Sequence, residues 1–192
     1  GGTVRSYPKN TVVVSEGDQT DSLYVLLEGR VKAFVSDEGG REVVLNVIGR
    51  GDYFGELVLD GGPRSASILT LEPARTYIVP RAEVERLLSE NPAFARDFTR
   101  RLISKVRSLT TQVRDLALKD VYARLAAFVE ANAVEQGAQR MIPEKLTQNE
   151  IAARIGASRE MVNRILKDLA AGGYVSVDGR QIMLHRKLPP HW

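Results

Sequence analysis

The chain has 192 residues, room for one or two domains with a real core, and its 43% hydrophobic and 27% charged content is that of an ordinary globular protein. Lys and Arg number 27 against 24 Asp and Glu, and the resulting +3 is too small an excess to argue for nucleic acid by itself. Cysteine is absent, which excludes disulfide scaffolds, thiolate nucleophiles, cysteine-ligated zinc and cysteine-held iron–sulfur clusters. No apolar run approaches the roughly 20 residues of a membrane-spanning helix, and the opening Gly1-Gly2-Thr3-Val4-Arg5 lacks the apolar core of a signal peptide. A soluble, unexported, cytoplasmic protein with no membrane partner is expected. Gly1-Gly2 has the look of a cloning remnant, so further natural residues are expected upstream.

From position 4 to about 80, turn signals recur every eight to twelve residues: Glu16-Gly17-Asp18, Glu28-Gly29, Glu38-Gly39-Gly40, Gly49-Arg50-Gly51-Asp52 and Asp60-Gly61-Gly62-Pro63. Between them, runs at 11–14, 22–27, 31–35, 42–48, 67–71 and 75–79 are rich in Val, Ile, Leu, Tyr and Phe, which favour strands. This pattern predicts a small β-roll or jelly-roll barrel over 1–91.

From 92 to 118 no Gly appears and no Pro follows Pro92, so one long helix is predicted. Phe98, Leu102, Val106, Leu109, Val113 and Leu116 recur at steps of four and three, which approximates a coiled-coil seam. Such a helix is about 40 Å long at 1.5 Å per residue, more than a small barrel covers, so these six residues are expected to form a parallel homodimer interface. The competing reading is a helix that simply lies on its own barrel.

The remainder, 119–192, begins with a hinge at Leu118-Lys119 and Asp120 as the N-cap of a helix over 121–134 that Gly137 closes. Two short helices follow between 147 and 169, and two strands at 174–177 and 181–184 flank Asp178-Gly179, read as a type I′ hairpin. Three helices and a hairpin outline a winged helix-turn-helix. Thr147 with Glu150 is a capping box, Ile151 and Ile155 face inward, Ala152 permits close approach, and Gly156 supplies the positive φ that ends the first helix. Ser158 caps the second, whose Met161, Val162 and Ile165 point inward. That leaves Arg159, Glu160, Asn163, Arg164 and Lys167 outward, as on a recognition helix in a major groove. Arg can grip guanine O6 and N7, and Glu can accept from cytosine N4.

In the roll, Gly51-Asp52-Tyr53-Phe54-Gly55-Glu56-Leu57 precedes Arg64-Ser65-Ala66-Ser67. Gly55 lets a main-chain N–H approach an anion, Arg64 can fork onto phosphate oxygens, and Ser65 adds a hydroxyl. Glu56 repels phosphate but can accept from a sugar hydroxyl beside it. The alternative is an ordinary turn with Arg64 on the surface.

In these features the sequence resembles the CRP/FNR family, the cyclic-AMP receptor protein and fumarate-nitrate reduction regulators, over essentially its whole length. The likeness rests on Phe54-Gly55-Glu56-Leu57 with Arg64-Ser65-Ala66, on Leu116-Ala117-Leu118-Lys119-Asp120-Val121, and on Ser158-Arg159-Glu160-Met161-Val162-Asn163-Arg164-Ile165-Leu166-Lys167. It implies an α+β protein with a cyclic-nucleotide-binding β-roll (1–91), a dimerisation helix (92–118) and a DNA-binding winged helix (119–192). Such a regulator binds a pseudo-palindromic operator as a homodimer and works with RNA polymerase. Residue by residue, the resemblance implies effector contacts at Gly55, Glu56, Leu57, Arg64 and Ser65, and DNA contacts at Thr147, Gln148, Ser158, Arg159, Glu160, Asn163, Arg164 and Lys167. Arg159, Glu160 and Arg164 match the set that reads a GTGA-like half-site. Counting back from the hinge places Leu109 and Thr110 where cyclic-AMP binders put two hydroxyl residues against adenine, and Thr111 takes that part if the register slips by one. Leu109 can neither donate nor accept, which implies weaker adenine selectivity, and the step from Glu56 to Arg64 is a little shorter than in the family's nucleotide binders, which implies a different seat for Arg64.

No iron–sulfur sensor fits a chain without cysteine, and the only histidines, His185 and His191, lie far from the roll, against a haem sensor. No triad, metal cluster or paired-carboxylate site marks an enzyme. The readings that stay open are a regulator whose allosteric effector is cyclic AMP or a related anion, a regulator whose roll is scaffold only, and a cyclic-nucleotide module of another signalling protein.

Overall fold

The computed structural model describes residues 1–19, 21–137 and 139–191, with Leu118 through its backbone alone. The chain forms two compact units, Gly1–Leu109 and Thr110–Trp192, the division falling inside one continuous helix.

In the first unit two four-stranded antiparallel sheets face each other. One has the order β1 (Thr3–Tyr7), β8 (Ala74–Pro80), β3 (Ser22–Glu28), β6 (Tyr53–Phe54), and the other β2 (Val12–Val14), β7 (Ser67–Thr70), β4 (Val31–Ser36), β5 (Glu42–Ile48). Because side chains alternate along a strand, Val31 and Ala33 of β4 both enter the core. Phe34 is buried as well, with the Lys32 ammonium 4.7 Å from its ring centroid, and the register shift between Ala33 and Phe34 places the extra residue, Leu45, on β5. Val14, Leu26, Ile48, Phe54, Ile68 and Ala74 complete the core between the sheets. The predicted roll is therefore present, with two strands more than the sequence pattern indicated, β1 and the two-residue β6. Strand β1, Thr-Val-Arg-Ser-Tyr, is mostly exposed and offers little apolar signal, yet it pairs along its length with β8.

Helix α1 (Arg81–Glu90) follows β8 directly and was not anticipated, since its N-cap is Pro80, without a side-chain cap. Helix α2 (Pro92–Leu118) has the predicted bounds. Its first turns belong to the roll: Phe98 is 3% exposed, stacks on Tyr53 with ring centroids 5.0 Å apart, and packs with Leu23, Val58, Val79 and Val84. Leu102 is packed partly against the same cluster. This corrects the predicted seam at Phe98, which is buried against the helix's own roll, while Leu102 stays partly exposed. Among the described residues, the large apolar side chains left exposed on α2 are Ile103, Val106, Leu109, Val113 and Leu116.

The second unit holds α3 (Val121–Asn132), β9 (Val134–Gln136), β10 (Gln139–Met141), α4 (Gln148–Ile155), α5 (Arg159–Ala171), β11 (Val175–Asp178) and β12 (Gln181–Leu184). Asp120 caps α3, Thr147 and Glu150 form the reciprocal capping box, Gly156 has φ 65°, and Ser158 accepts from the Met161 N–H, all as expected. Three differences stand out. Helix α3 stops at Asn132, and Gly137, at φ 64°, belongs to the turn region between β9 and β10. Those two short polar strands make the wing a four-stranded sheet, β11-β12-β10-β9. The last hairpin pairs Asp178 with Gln181, so its central residues are Gly179 and Arg180. Only Gly179 has positive φ, whereas a type I′ turn requires both. Leu125, Val129, Ile151, Val162 and Leu169, each at most 1% exposed, form the centre of this unit's core.

Candidate effector cavity and nucleic-acid interface

Arg64 has almost no access to solvent, being 5% exposed. Its main chain is pinned by bonds from its N–H to the Asp18 carbonyl at 2.9 Å and from the Gly17 N–H to its own carbonyl at 2.8 Å. The guanidinium lies over the Tyr24 ring, and Tyr24 in turn stacks on Phe54 at 4.9 Å. From there Nη1 donates to the Gly55 carbonyl at 3.1 Å and Nη2 to the Ser22 carbonyl at 2.6 Å. Burial lowers the guanidinium's pKa, while Tyr24, Glu56 and Asp21 raise it. A guanidinium stays charged through such opposing shifts, so a full positive charge stands beneath the 55–65 segment. Gly55 is where glycine is required twice over: its φ is 84°, and an added Cβ would lie 2.5 Å from Arg64 Nη1.

After Gly55 the chain winds into a 3₁₀ turn, Glu56–Leu59, whose Val58 is buried. The turn brings Glu56 to Lys105 of α2, with Nζ donating to Oε1 at 2.6 Å, and leaves the buried Oε2 without a partner among the described residues. Beside these groups is a cavity of about 200 Å3, walled by Val14, Ala33, Ile48, Phe54, Ile68 and Leu109, with Gly55, Glu56, Leu57, Arg64, Ser65 and Lys105 also in its lining. That volume exceeds the roughly 150 Å3 that accepts a benzene ring. The walls suit an apolar or aromatic body, and the Arg64 side suits an anionic group.

Five of the seven predicted effector residues thus converge on one cavity. Thr110 and Thr111 are exposed, and the α2 part of the lining is Lys105, Ser108 and Leu109. Lys105 and Ser108 were missed. They sit four and one positions before Leu109, but which of them would face a strand depends on how α2 lies on the roll.

On α5, Arg159, Glu160, Arg164 and Lys167 are exposed, and opposite them Val162, Ile165, Leu166 and Leu169 are buried. Asn163 is half-buried and its Oδ1 accepts from Gln148 Nε2 at 3.2 Å, which ties α4 to α5. Ser158 and Thr147 use their hydroxyls as caps. Arg164 lies against Met161, its Nη2 2.9 Å from the thioether sulfur. Arg180, exposed in the tip of the last hairpin, and Lys145, exposed before α4, extend the basic surface beyond the predicted set. Neither lies in a motif, so no local pattern pointed to them.

A roll enclosing a cationic cavity, joined to a helix-turn-helix with a polar reading face, defines a DNA-binding regulator controlled by a small molecule. Residues 4–91 match the cyclic nucleotide-binding domain and residues 123–187 the Crp-like helix-turn-helix domain. The chain is 31% identical over 183 residues to the CRP-like cAMP-activated global transcriptional regulator of Mycobacterium tuberculosis, covering 93% of this chain and 82% of the relative. Against the cAMP-activated global transcriptional regulator CRP of Pasteurella multocida it is 31% identical over 191 residues, covering 95% and 90%. Its fold superposes on the c-di-GMP-responsive global regulator CLP of Xanthomonas campestris with a TM-score of 0.86 at 24% identity, covering 96% of this chain and 94% of the other. A CRP/FNR-family transcriptional regulator of Thermus thermophilus gives 0.80 at 25% identity, with the same coverage. The chain belongs to the CRP/FNR family of transcription regulators. Among the described residues no helix is long and apolar enough to cross a membrane.

Proposed function

We propose that the regulator is controlled by a cyclic nucleotide, or another anion with an aromatic body, held in the roll cavity. The observation that carries this is Arg64, a buried cation fixed under Gly55 at the edge of a largely apolar cavity. Arg64 and Ser65 receive the anionic group together with the Gly55 main chain, and Glu56 accepts from a ligand hydroxyl in competition with Lys105. Leu109 contributes only surface, so the ring is selected by shape rather than by hydrogen bonds.

The exposed row on α2 supports a homodimer through Ile103, Val106, Leu109 and Val113, in place of the Phe98 end of the predicted seam. In such a dimer two α5 helices present Arg159, Glu160 and Arg164 to base edges about one helical turn apart, near 34 Å, which requires a pseudo-palindromic operator. Lys167 and the wing Arg180 contact phosphates, and RNA polymerase is the expected protein partner. Calorimetry with cyclic AMP, cyclic GMP and cyclic di-GMP, followed by selection of random duplexes with and without the bound ligand, tests this reading. A palindrome enriched only with ligand is expected, with a cyclic AMP to cyclic GMP preference under about tenfold. Binding of none of the three, with a palindrome still enriched, would leave the roll as scaffold.

A further inference from the structure

Arg124, in the first turn of α3, belongs to none of the motifs read from the sequence. In the structure its guanidinium bonds main-chain oxygens from two distant places. Nε donates to the Ile155 carbonyl at 2.8 Å and Nη2 to the Gly156 carbonyl at 3.1 Å, while Nη1 donates to the Lys119 carbonyl at 2.7 Å. Ile155 and Gly156 are the last residue of α4 and its C-cap, where carbonyls have no intrahelical partner and the helix dipole is negative. Lys119 directly follows α2. One planar fork therefore satisfies the end of one helix and the exit of another, which the single ammonium of Lys cannot do in the same geometry.

A second contact falls on the same turn. An added Cβ at Gly156 would lie 2.7 Å from Leu116 Cδ2, so the last turn of α2 rests directly on the turn between α4 and α5. Leu116, predicted as a partner contact, thus has a place within its own chain. The turn it supports ends at Ser158, and Arg159 and Glu160 stand in the very next turn of helix.

We propose that Arg124 is a positioning residue for sequence-specific DNA reading: it fastens the α4–α5 turn to the segment leaving α2 and so sets the aim of Arg159 and Glu160. This rests on α5 being the reading helix, as proposed above. It predicts that base reading depends on Arg124 even though Arg124 need not touch DNA, whereas binding through the phosphate backbone does not.

The test uses the full chain with Arg124→Met and Arg124→Lys, the operator selected by the wild type, and an unrelated duplex at the same salt. For Arg124→Met, operator affinity should fall at least about tenfold while affinity for unrelated duplex stays within about twofold, with Arg124→Lys between it and the wild type. Amide exchange at 155–159 should accelerate in the DNA-free variant while the rest of the unit keeps its protection. If Arg124→Met fails to fold, Leu116→Ala, which loosens the same turn without a change of charge, should lower the specificity ratio in the same direction. An unchanged ratio, or parallel losses on both duplexes accompanied by a general loss of protection, would overturn the proposal. A wild type that enriches no operator would instead overturn the DNA-reading assignment, and the positioning role with it.

Discussion

Replacing Gly55 by Ala perturbs the cavity at its tightest point, and the chain supplies its own control. Gly51 and Gly55 have φ of 85° and 84°, so a Cβ in either place carries the same left-handed strain, about 1 to 2 kcal/mol. Around Gly51 nothing lies within 4 Å of the new methyl, whereas at Gly55 it would stand 2.5 Å from Arg64 Nη1 and 3.1 Å from the Ser22 carbonyl. The guanidinium must move, and it is buried with bonds to the Gly55 and Ser22 carbonyls. A charge-assisted bond contributes on the order of 1.5 to 3 kcal/mol, and water entering the cavity offsets part of the loss, so Gly55→Ala should cost about 2 to 4 kcal/mol more than Gly51→Ala. Urea unfolding of both variants, with unchanged m-values, measures the difference. Cyclic-nucleotide affinity should fall in Gly55→Ala and persist in Gly51→Ala. Equal destabilisation would refute the reasoning, since it would mean that Arg64 yields at no cost and is not held where the geometry puts it.

The helix surface makes a second prediction: Val106→Glu with Val113→Glu should convert a dimer to monomer in sedimentation without unfolding the roll, whereas Phe98→Ala should cost about 3 to 5 kcal/mol of stability at any protein concentration. A dimer surviving the double Glu variant would place the interface elsewhere. Lys105→Met and Glu56→Gln should couple by about 1 kcal/mol in a double-mutant cycle of unfolding, since their 2.6 Å ion pair is only partly exposed; additive effects would make that pair incidental. Burial, aided by Glu56, Asp97 and Asp52 against Arg101, pushes the Tyr53 hydroxyl from 10.0 up to about 12. Its folded value is the higher, so its contribution is complete below pH 10 and disappears as pH rises through about 12. An absorbance titration should show a late step near 12 that Tyr53→Phe removes, and a wild type lacking that step would refute the burial of this hydroxyl.

Local chemistry was enough to determine much of this protein. The caps at Asp120, Thr147 and Ser158 and the left-handed Gly156 depend on neighbours a few residues away, so the helices of the DNA module could be read directly. The bounds of α2 and the gathering of Gly55, Glu56 and Arg64 around one cavity followed from spacing and motif in the same way. Strands whose stability lies in their pairing could not be read so: β1 and the β9–β10 hairpin are polar or exposed, and only β8 and β12 give them a place. Periodicity along α2 showed an apolar stripe but not its division, because whether Phe98 meets Tyr53 or a second chain is decided by where the roll lies. The pairing of Lys105 with Glu56, the Arg64 bonds to main-chain oxygens and the Arg124 bonds to Ile155 and Gly156 likewise join residues 9 to 49 positions apart. A sequence shows that such side chains can donate, but only the fold fixes which carbonyl or carboxylate stands within reach.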